Sequence, residues 1–509
     1  MNSIRIENLR CFKDTGDIEL QTLNLLIGQN SSGKSSFLRF FPLIKQSILR
    51  STKGPILWYD ESLVDFGSFT EAKNKYCPNE TGIKFSFNLE LGTSSRLFLG
   101  SNPNFEKDIN ASISISIIEK NETIIINKLI IEIKDQIIEL ELEQDNILDK
   151  FIINGKLFSF QSKVVFANLK IHNFLPVIAL ISDKNTPLLD YFESEFIKKI
   201  ETLIGSSEIN DKNKELLINT GIGSKDYVLD NIKKIQGINT LAKKSSKWNI
   251  EDKDFIEINN LLLAFNTTHI LNSIDEAIVS FFSDCDYTAP VRAKALRYYR
   301  RQDLSIVDID AYGDNLHMFI DNLSASEKKS FRDFVSELFG FTIETKSDFG
   351  HITINIKNIN EESFNLADLG FGYSQLLPII TKLWNALYKE NKNRHSIYRN
   401  TKQTIILIEQ PELHLHPAMQ AQVADAIIKA IEIAKEKKIQ IKFIIETHST
   451  VLINRIGKKV RDKQLPKEQV NVVLFELDKD LKYSNIKTTN FNEKGIINNW
   501  PLGFLEPKN

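Results

Sequence analysis

The chain has 509 residues, with 64 Lys and Arg against 66 Asp and Glu for a formal charge of -2. No bulk polyelectrolyte partner is announced by that balance, so any nucleic-acid contact has to be local. A 42% hydrophobic and 26% charged composition excludes general disorder, and three scattered cysteines (Cys11, Cys77, Cys285) exclude a disulfide framework or a CxxC metal pair.

The length suggests about three domain-sized units. Without an apolar run of ~18–20 residues or a leader-like start, the expectation is a cytoplasmic chain with no membrane association. Residues 2–28 alternate apolar and polar positions and end in the run LNLLIG, which predicts two half-exposed strands and then a buried one. Phe37, Phe40, Phe41, Ile44 and Ile48 follow at helical spacing. Between 83 and 170, Ile- and Phe-rich patches of period two predict an antiparallel sheet with one polar face. From 187 to 285 the pattern is helical, with 225–253 expected to be the loosest part of the chain. Beyond 404, TIILIE, a long helix, IKFIIETHS and VNVVLFEL alternate as in a parallel α/β sheet.

Glycine is scarce, at 21 residues, roughly 4% against a usual ~7%, so its clusters are informative. Gly28-Gln29-Asn30-Ser31-Ser32-Gly33-Lys34-Ser35, followed by Ser36, fits GxxxxGK[ST] between a buried strand and an amphipathic helix. Backbone N–H groups in such a loop form an anion nest. Lys34 would reach the β/γ-phosphates of a nucleotide, and Ser35 would ligate Mg²⁺. A second cluster, Gly370-Phe371-Gly372-Tyr373-Ser374-Gln375, opens another helix and offers a second anion-binding terminus. Glu409 closes the strand IILIE as the expected magnesium acid. Gln410 and Glu412 follow it, and His448 closes the next strand at the place of a γ-phosphate sensor. His414 and His416 lack a third ligand of zinc spacing and read as turn or interface residues.

Arg292, Lys294, Arg297, Arg300 and Arg301, interleaved with Tyr298 and Tyr299, suit contact with DNA or RNA by phosphate pairing and stacking. A solvated face or an intramolecular pairing with acids is the equal alternative. Asp478-Lys479-Asp480 imitates a nuclease DxD but reads as a hairpin turn.

Taken together, GQNSSGKS, GFGYSQ, IILIEQPELHLHP and ETHS resemble the ABC-type ATPases of the RecF/SMC/OLD group, over roughly residues 1–95 and 286–509. Within that group the motifs suggest the stand-alone anti-phage ATPases of the Septu or retron-associated type. It implies an α/β P-loop ATPase head with a central parallel sheet, an antiparallel β subdomain and a helical insertion. The corresponding divisions are an N-terminal lobe at 1–95, an insertion at 96–285 and a C-terminal lobe at 286–509. It also implies ATP and Mg²⁺, and a homodimer or higher even oligomer that sandwiches nucleotide between the Gly28–Ser36 loop and the Gly370–Gln375 turn. A separate effector such as an HNH nuclease is implied, since too few residues follow His448 for a Toprim nuclease, and a retron reverse transcriptase with its nucleic acid is a further implied partner. Glu409, Gln410, Glu412 and His448 form the expected catalytic set. Gln410 stands where a second acid usually activates water, which predicts slow hydrolysis with Glu412 as a substitute base. A RecF-like repair or chromosome-maintenance ATPase acting as a DNA clamp is the alternative, and a non-hydrolysing ATP-gated scaffold a third reading.

Overall fold

The computed structural model describes residues 1–78, 81–91, 105–107, 109–167, 173–181, 186–205, 209–358, 360, 362–388, 403–478, 483–498 and 500. Strands β1 (Ser3–Glu7), β2 (Ile18–Glu19) and β3 (Leu23–Gly28) lead into α1 (Lys34–Leu49) and the short α2 (Phe69–Ala72). An antiparallel series follows: β4 (Ile83–Glu90), β5 (Asn110–Lys120), β6 (Thr123–Ile133), β7 (Gln136–Leu142), β8 (Leu148–Ile153) and β9 (Lys156–Phe158). Three short strands, β10 (Val164–Ala167), β11 (Ile178–Ile181) and β12 (Thr186–Pro187), precede the helices α3 (Leu188–Ile204), α4 (Asp211–Ile218), α5 (Lys225–Lys234), α6 (Asn239–Ser245) and α7 (Lys253–Ser283).

The C-terminal part begins with β13 (Cys285–Thr288), β14 (Tyr299–Arg300), α8 (Leu316–Asp321) and α9 (Ala325–Phe339). A small sheet of β15 (Thr342–Asp348), β16 (His351–Lys357) and β17 (Ser363–Asn365) comes next, then α10 (Phe371–Tyr388). The chain ends as β18 (Gln403–Glu409), α11 (Pro417–Glu436), β19 (Gln440–Glu446), α12 (Thr450–Arg461), β20 (Val470–Leu477) and β21 (Ser484–Thr489).

Two sheets organise this order. The central one runs β13-β18-β19-β3-β20-β21 and is parallel up to β20, with β21 returning antiparallel. Its parallel strands β18, β3 and β20 are buried on both faces, as parallel strands under helices must be. Leu26, Ile405, Leu407, Ile444 and Val473 point to one core, shared with Phe37 and Phe41 of α1. Leu25, Ile27, Ile406, Ile408, Ile445 and Leu474 point to the other, shared with α10, α11 and α12. That alternation is the two-residue period of a strand used on both sides.

The second sheet runs β2-β1-β4-β5-β6-β7-β8-β9. Its inner side meets α1 and α7 through an aromatic cluster, with the Phe40 ring 4.9 Å from Phe85 and 5.9 Å from Phe282. The expected division at residue 95 therefore runs through one sheet, because β4 pairs with β1 on one side and β5 on the other. The division at 285 likewise falls inside β13, a strand of the central sheet.

The expected looseness of 225–253 is also corrected. Ser224 caps α5 by accepting from the Tyr227 N–H, and Ile232, Leu241 and Trp248 are buried against the insertion. Lysine-rich composition hid a short amphipathic pattern there. The β20–β21 hairpin forms as expected, while residues 479–480 of the DxD-like turn lie outside the described residues. No helix among the described residues is long and apolar enough to cross a membrane.

Candidate functional site

The parallel strands deliver their C-terminal ends to one edge, and β3 delivers Gly28. A β-carbon at Gly28 would lie 2.2 Å from the Phe475 carbonyl oxygen of β20, so the strand can pass only without a side chain. Gly33 has φ +98°, and a β-carbon there would lie 2.5 Å from Cys11 Sγ. Both positions need glycine for conformational and steric reasons. Between them the loop is tied down from within: Ser32 Oγ donates to the Gln29 carbonyl at 2.7 Å, and Ser484 Oγ donates to the Ser32 carbonyl at 2.7 Å. No side chain caps α1 at Gly33, and its first turn carries no acid. The positive end of a 16-residue helix thus faces the loop, which favours an anion.

Lys34 is buried, with Nζ donating to the Gln29 carbonyl at 2.7 Å. Burial lowers its pKa, opposed by Glu446 and Glu412. These groups open on a cleft of about 660 Å³ lined by Asn30, Ser31, Gly33, Lys34, Ser35 and Ser36, and by Gln410, Glu446 and His448. Its outer wall is formed by Arg10, Cys11, Glu71, Lys73, Lys75 and Tyr76. Cations outnumber acids in this lining, as a polyphosphate requires. His448 is held down to about pKa 4 by burial and by the charge of Lys34, so near neutral pH it meets a ligand as an uncharged imidazole.

Strand order decides which acid stands where. β19 lies between β3 and β18, so the strand next to the loop strand is the histidine strand. Its last residue, Glu446, accepts from Ser35 Oγ at 2.9 Å, and its other oxygen is buried without a partner. Burial and the adjacent Glu409 charge push Glu446 up to about pKa 7. Glu409, in register beside Glu446, receives Arg39 Nε at 2.9 Å, Arg39 Nη2 at 2.6 Å and Tyr287 OH at 2.7 Å. Ser35, expected to share a magnesium ion with Glu409, hydrogen-bonds Glu446 in the fold. A hydroxyl beside an orphaned carboxylate oxygen is a donor set that fits a hard divalent cation.

The profile of the AAA ATPase domain family matches residues 1–453. The chain belongs to that family. Over 101 residues it is 34% identical to Endonuclease GajA of Bacillus cereus (strain HuB5-5), a match spanning 19% of this chain and 13% of that protein's length. The SMC head domain of Pyrococcus furiosus with an extended coiled coil, bound to the C-terminal domain of ScpA, aligns at a TM-score of 0.34 and 10% identity, covering 96% of each chain. The Thermotoga maritima SMC head domain aligns at 0.32 and 10%, covering 96% of this chain and 97% of that one.

Within this AAA-family chain the remaining expected residues divide. Gln410 lines the cleft with a left-handed φ of 46°, a strained conformation of the kind held at functional sites. Glu412 uses its two oxygens elsewhere, accepting from the His448 N–H at 2.6 Å and Thr447 Oγ1 at 2.8 Å. It braces the histidine loop. His414 packs its ring on Phe371, and His416 caps α11; no group of three or more His, Cys, Asp or Glu side chains that could hold a metal occurs among the described residues.

Two corrections concern the second glycine turn and the basic stretch. Gly370 is exposed and Gly372 partly so, but Ser374 and Gln375 are buried inward. The Gln375 amide accepts from the Arg292 N–H and donates to the Arg292 carbonyl, each at 3.1 Å, so it holds α10 in the fold. Ser374 Oγ donates to the Phe371 carbonyl within its own helix. Arg292 is only 2% exposed, with Nη2 donating to the carbonyls of Glu409 and Gln410 at 3.0 and 3.4 Å. Burial lowers its pKa to about 10. It is an internal brace and cannot reach a nucleic acid. Arg297 pairs with Asp368, whereas Lys294, Arg300 and Arg301 are exposed.

Sequence reasoning missed Arg10, Arg39, Lys73, Lys75, Tyr76, Tyr287 and Glu446. Only Glu446 left a signal, as an acid closing the apolar strand run IKFIIE. The others come from α1, from loops and from β13, which only the fold brings to the cleft or to Glu409.

Proposed function

We propose that the cleft binds ATP with Mg²⁺, and that the chain is an ABC-type ATPase of the RecF/SMC/OLD group whose slow turnover gates an associated effector in anti-phage defence. One observation carries this reading: a loop that excludes side chains at Gly28 and Gly33, with a buried Lys34 and the uncapped end of α1 opening on a cationic cleft. Lys34 would leave the Gln29 carbonyl for phosphate oxygens, and the neutral His448 would hydrogen-bond a terminal phosphate oxygen. Arg10, Cys11 and Tyr76 would take the nucleoside end. Ser35 would help to hold magnesium, which would supply charge neutralisation at the phosphates. Gln410 can orient an attacking water but cannot accept its proton, and Glu412, with its oxygens committed to Thr447 and His448, is a weak substitute base.

The Gly370–Gly372 turn does not line the cleft of its own chain, which supports a homodimer in which it closes over nucleotide bound to a second copy. The GajA match, to a protein named as an endonuclease, supports an association with nuclease activity. On this reading the nuclease is a separate protein, of HNH type, in a Septu or retron-associated system that includes a reverse transcriptase and its nucleic acid. Lys294, Arg300 and Arg301 are the remaining nucleic-acid contacts.

Sedimentation with and without ATP, together with steady-state hydrolysis, tests the reading. ATP-dependent dimerisation lost in Lys34→Ala, with turnover below about 1 s⁻¹, is expected. Fast turnover unaffected by Glu412→Ala would refute the slow-clamp mechanism.

A further inference from the structure

We propose that the carboxylate holding the magnesium ion of the nucleotide complex is Glu446, and that Glu409 stays out of the coordination sphere as the fixed counter-ion of Arg39. This deepens the reading of the cleft as an ATP site and rests on it. Three observations carry it.

The first is occupancy. Both Glu409 oxygens are engaged, by the two-pronged Arg39 guanidinium and by the Tyr287 hydroxyl. Such forked, charge-assisted pairs are strong and directional. The Glu409 side chain is only 3% exposed, so giving an oxygen to a metal would break a forked pair formed on a carboxylate shielded from water. Glu446 is the reverse case. One of its oxygens meets only the Ser35 hydroxyl, and the other is buried with no partner at all. A buried carboxylate oxygen without a partner calls for an ion or a water.

The second is spacing. Ser35 Oγ and Glu446 Oε1 are 2.9 Å apart. Adjacent ligands of an octahedral magnesium, each at 2.0–2.1 Å from the ion, are separated by about 2.9 Å. The pair is already placed for neighbouring positions on one ion.

The third is topology and charge. Glu446 ends the strand beside β3, and Glu409 ends the strand beyond it, one inter-strand spacing of ~4.8 Å further from the loop. Two carboxylates in register repel. Arg39 compensates Glu409, and the cation compensates Glu446.

The test uses Mn²⁺ as the metal probe. Free Mn²⁺ is titrated by electron paramagnetic resonance against the full chain with a non-hydrolysable ATP analogue, for wild type, Glu446→Gln, Glu446→Asp and Glu409→Gln. Binding of the same analogue in EDTA reports both folding and the metal-free nucleotide site. We expect Glu446→Gln to weaken Mn²⁺ binding about tenfold more than Glu409→Gln, with analogue binding in EDTA retained and Glu446→Asp recovering part of the loss. Equal losses in the two Gln variants, or a larger loss in Glu409→Gln, would overturn the assignment while leaving the ATP reading intact. Absence of analogue binding by wild type would overturn both. Should Glu446→Gln fail to fold, unchanged Mn²⁺ affinity in Glu446→Asp would still overturn the assignment.

Discussion

A β-carbon at Gly28 or Gly33 would strike Phe475 or Cys11, whereas one at Gly370 would meet nothing within 4 Å. Both turns open helices, α1 and α10, and as sequence they look alike. The first is closed by its own chain: β20 presses on it, Ser484 holds its backbone, and Lys34 and Glu446 complete a cleft around it. The second is open outward. Its glycines sit at the surface, while the polar residues after them, Ser374 and Gln375, turn back to hold the fold. A glycine-rich helix start is thus two different devices, depending on whether neighbouring strands or solvent surround it.

The contrast can be broken most decisively at Lys34. Lys34→Ala should weaken binding of a fluorescent ATP analogue by about 10–100-fold, the value of a charge-assisted hydrogen bond. Glycine replacement sharpens the point. Gly28→Ala should destabilise the protein by about 1–3 kcal/mol in a urea titration, because the clash is with backbone that cannot swing away. Gly370→Ala should stay within about 0.5 kcal/mol of wild type, while lowering any ATP-dependent self-association seen by sedimentation. At Gln375 the expectation inverts what a ligand contact would give. Gln375→Ala should cost about 1–3 kcal/mol of stability through the two orphaned backbone groups of Arg292, with metal-free analogue binding unchanged.

The smallest effect is in pH. A free imidazole titrates near 6.5, but His448 stays neutral down to about 4 because burial and Lys34 disfavour its cation. The unfolded chain therefore binds a proton that the folded chain does not. The His448 contribution to stability is complete above about pH 6.5 and is lost as pH falls from there towards 4. Over that window the melting temperature of wild type should fall relative to that of His448→Gln, with the variant showing the flatter profile.

Much of this site was legible because its determinants are local. A buried strand, a glycine-bracketed loop and a helix are contiguous, so residues 23–49 announce their own shape. Gln410 and His448, which line the cleft, stood out because each lies just past an apolar strand run. The basic stretch misled for the opposite reason. Five cations between 292 and 301 look equivalent in sequence, yet Arg292 lies under the strand ends while Arg300 and Arg301 face solvent. No local pattern separates a brace from a surface charge. Lysines concealed α5 and α6 similarly, since few apolar residues suffice to pin a short helix onto a larger body.

By itself, the sequence determined the scarcity of glycine, its placement at two helix starts and the alternation that makes a parallel sheet, because each is written in consecutive residues. Only the tertiary structure decided which acid meets Ser35. That outcome depends on β19, and not β18, lying against β3, and on an arginine five residues past Lys34 claiming Glu409 first. Strand order and register are set by packing on both faces of the sheet, so residues more than 400 positions apart, such as Ser35 and Glu446, become neighbours for reasons that no single stretch of chain contains.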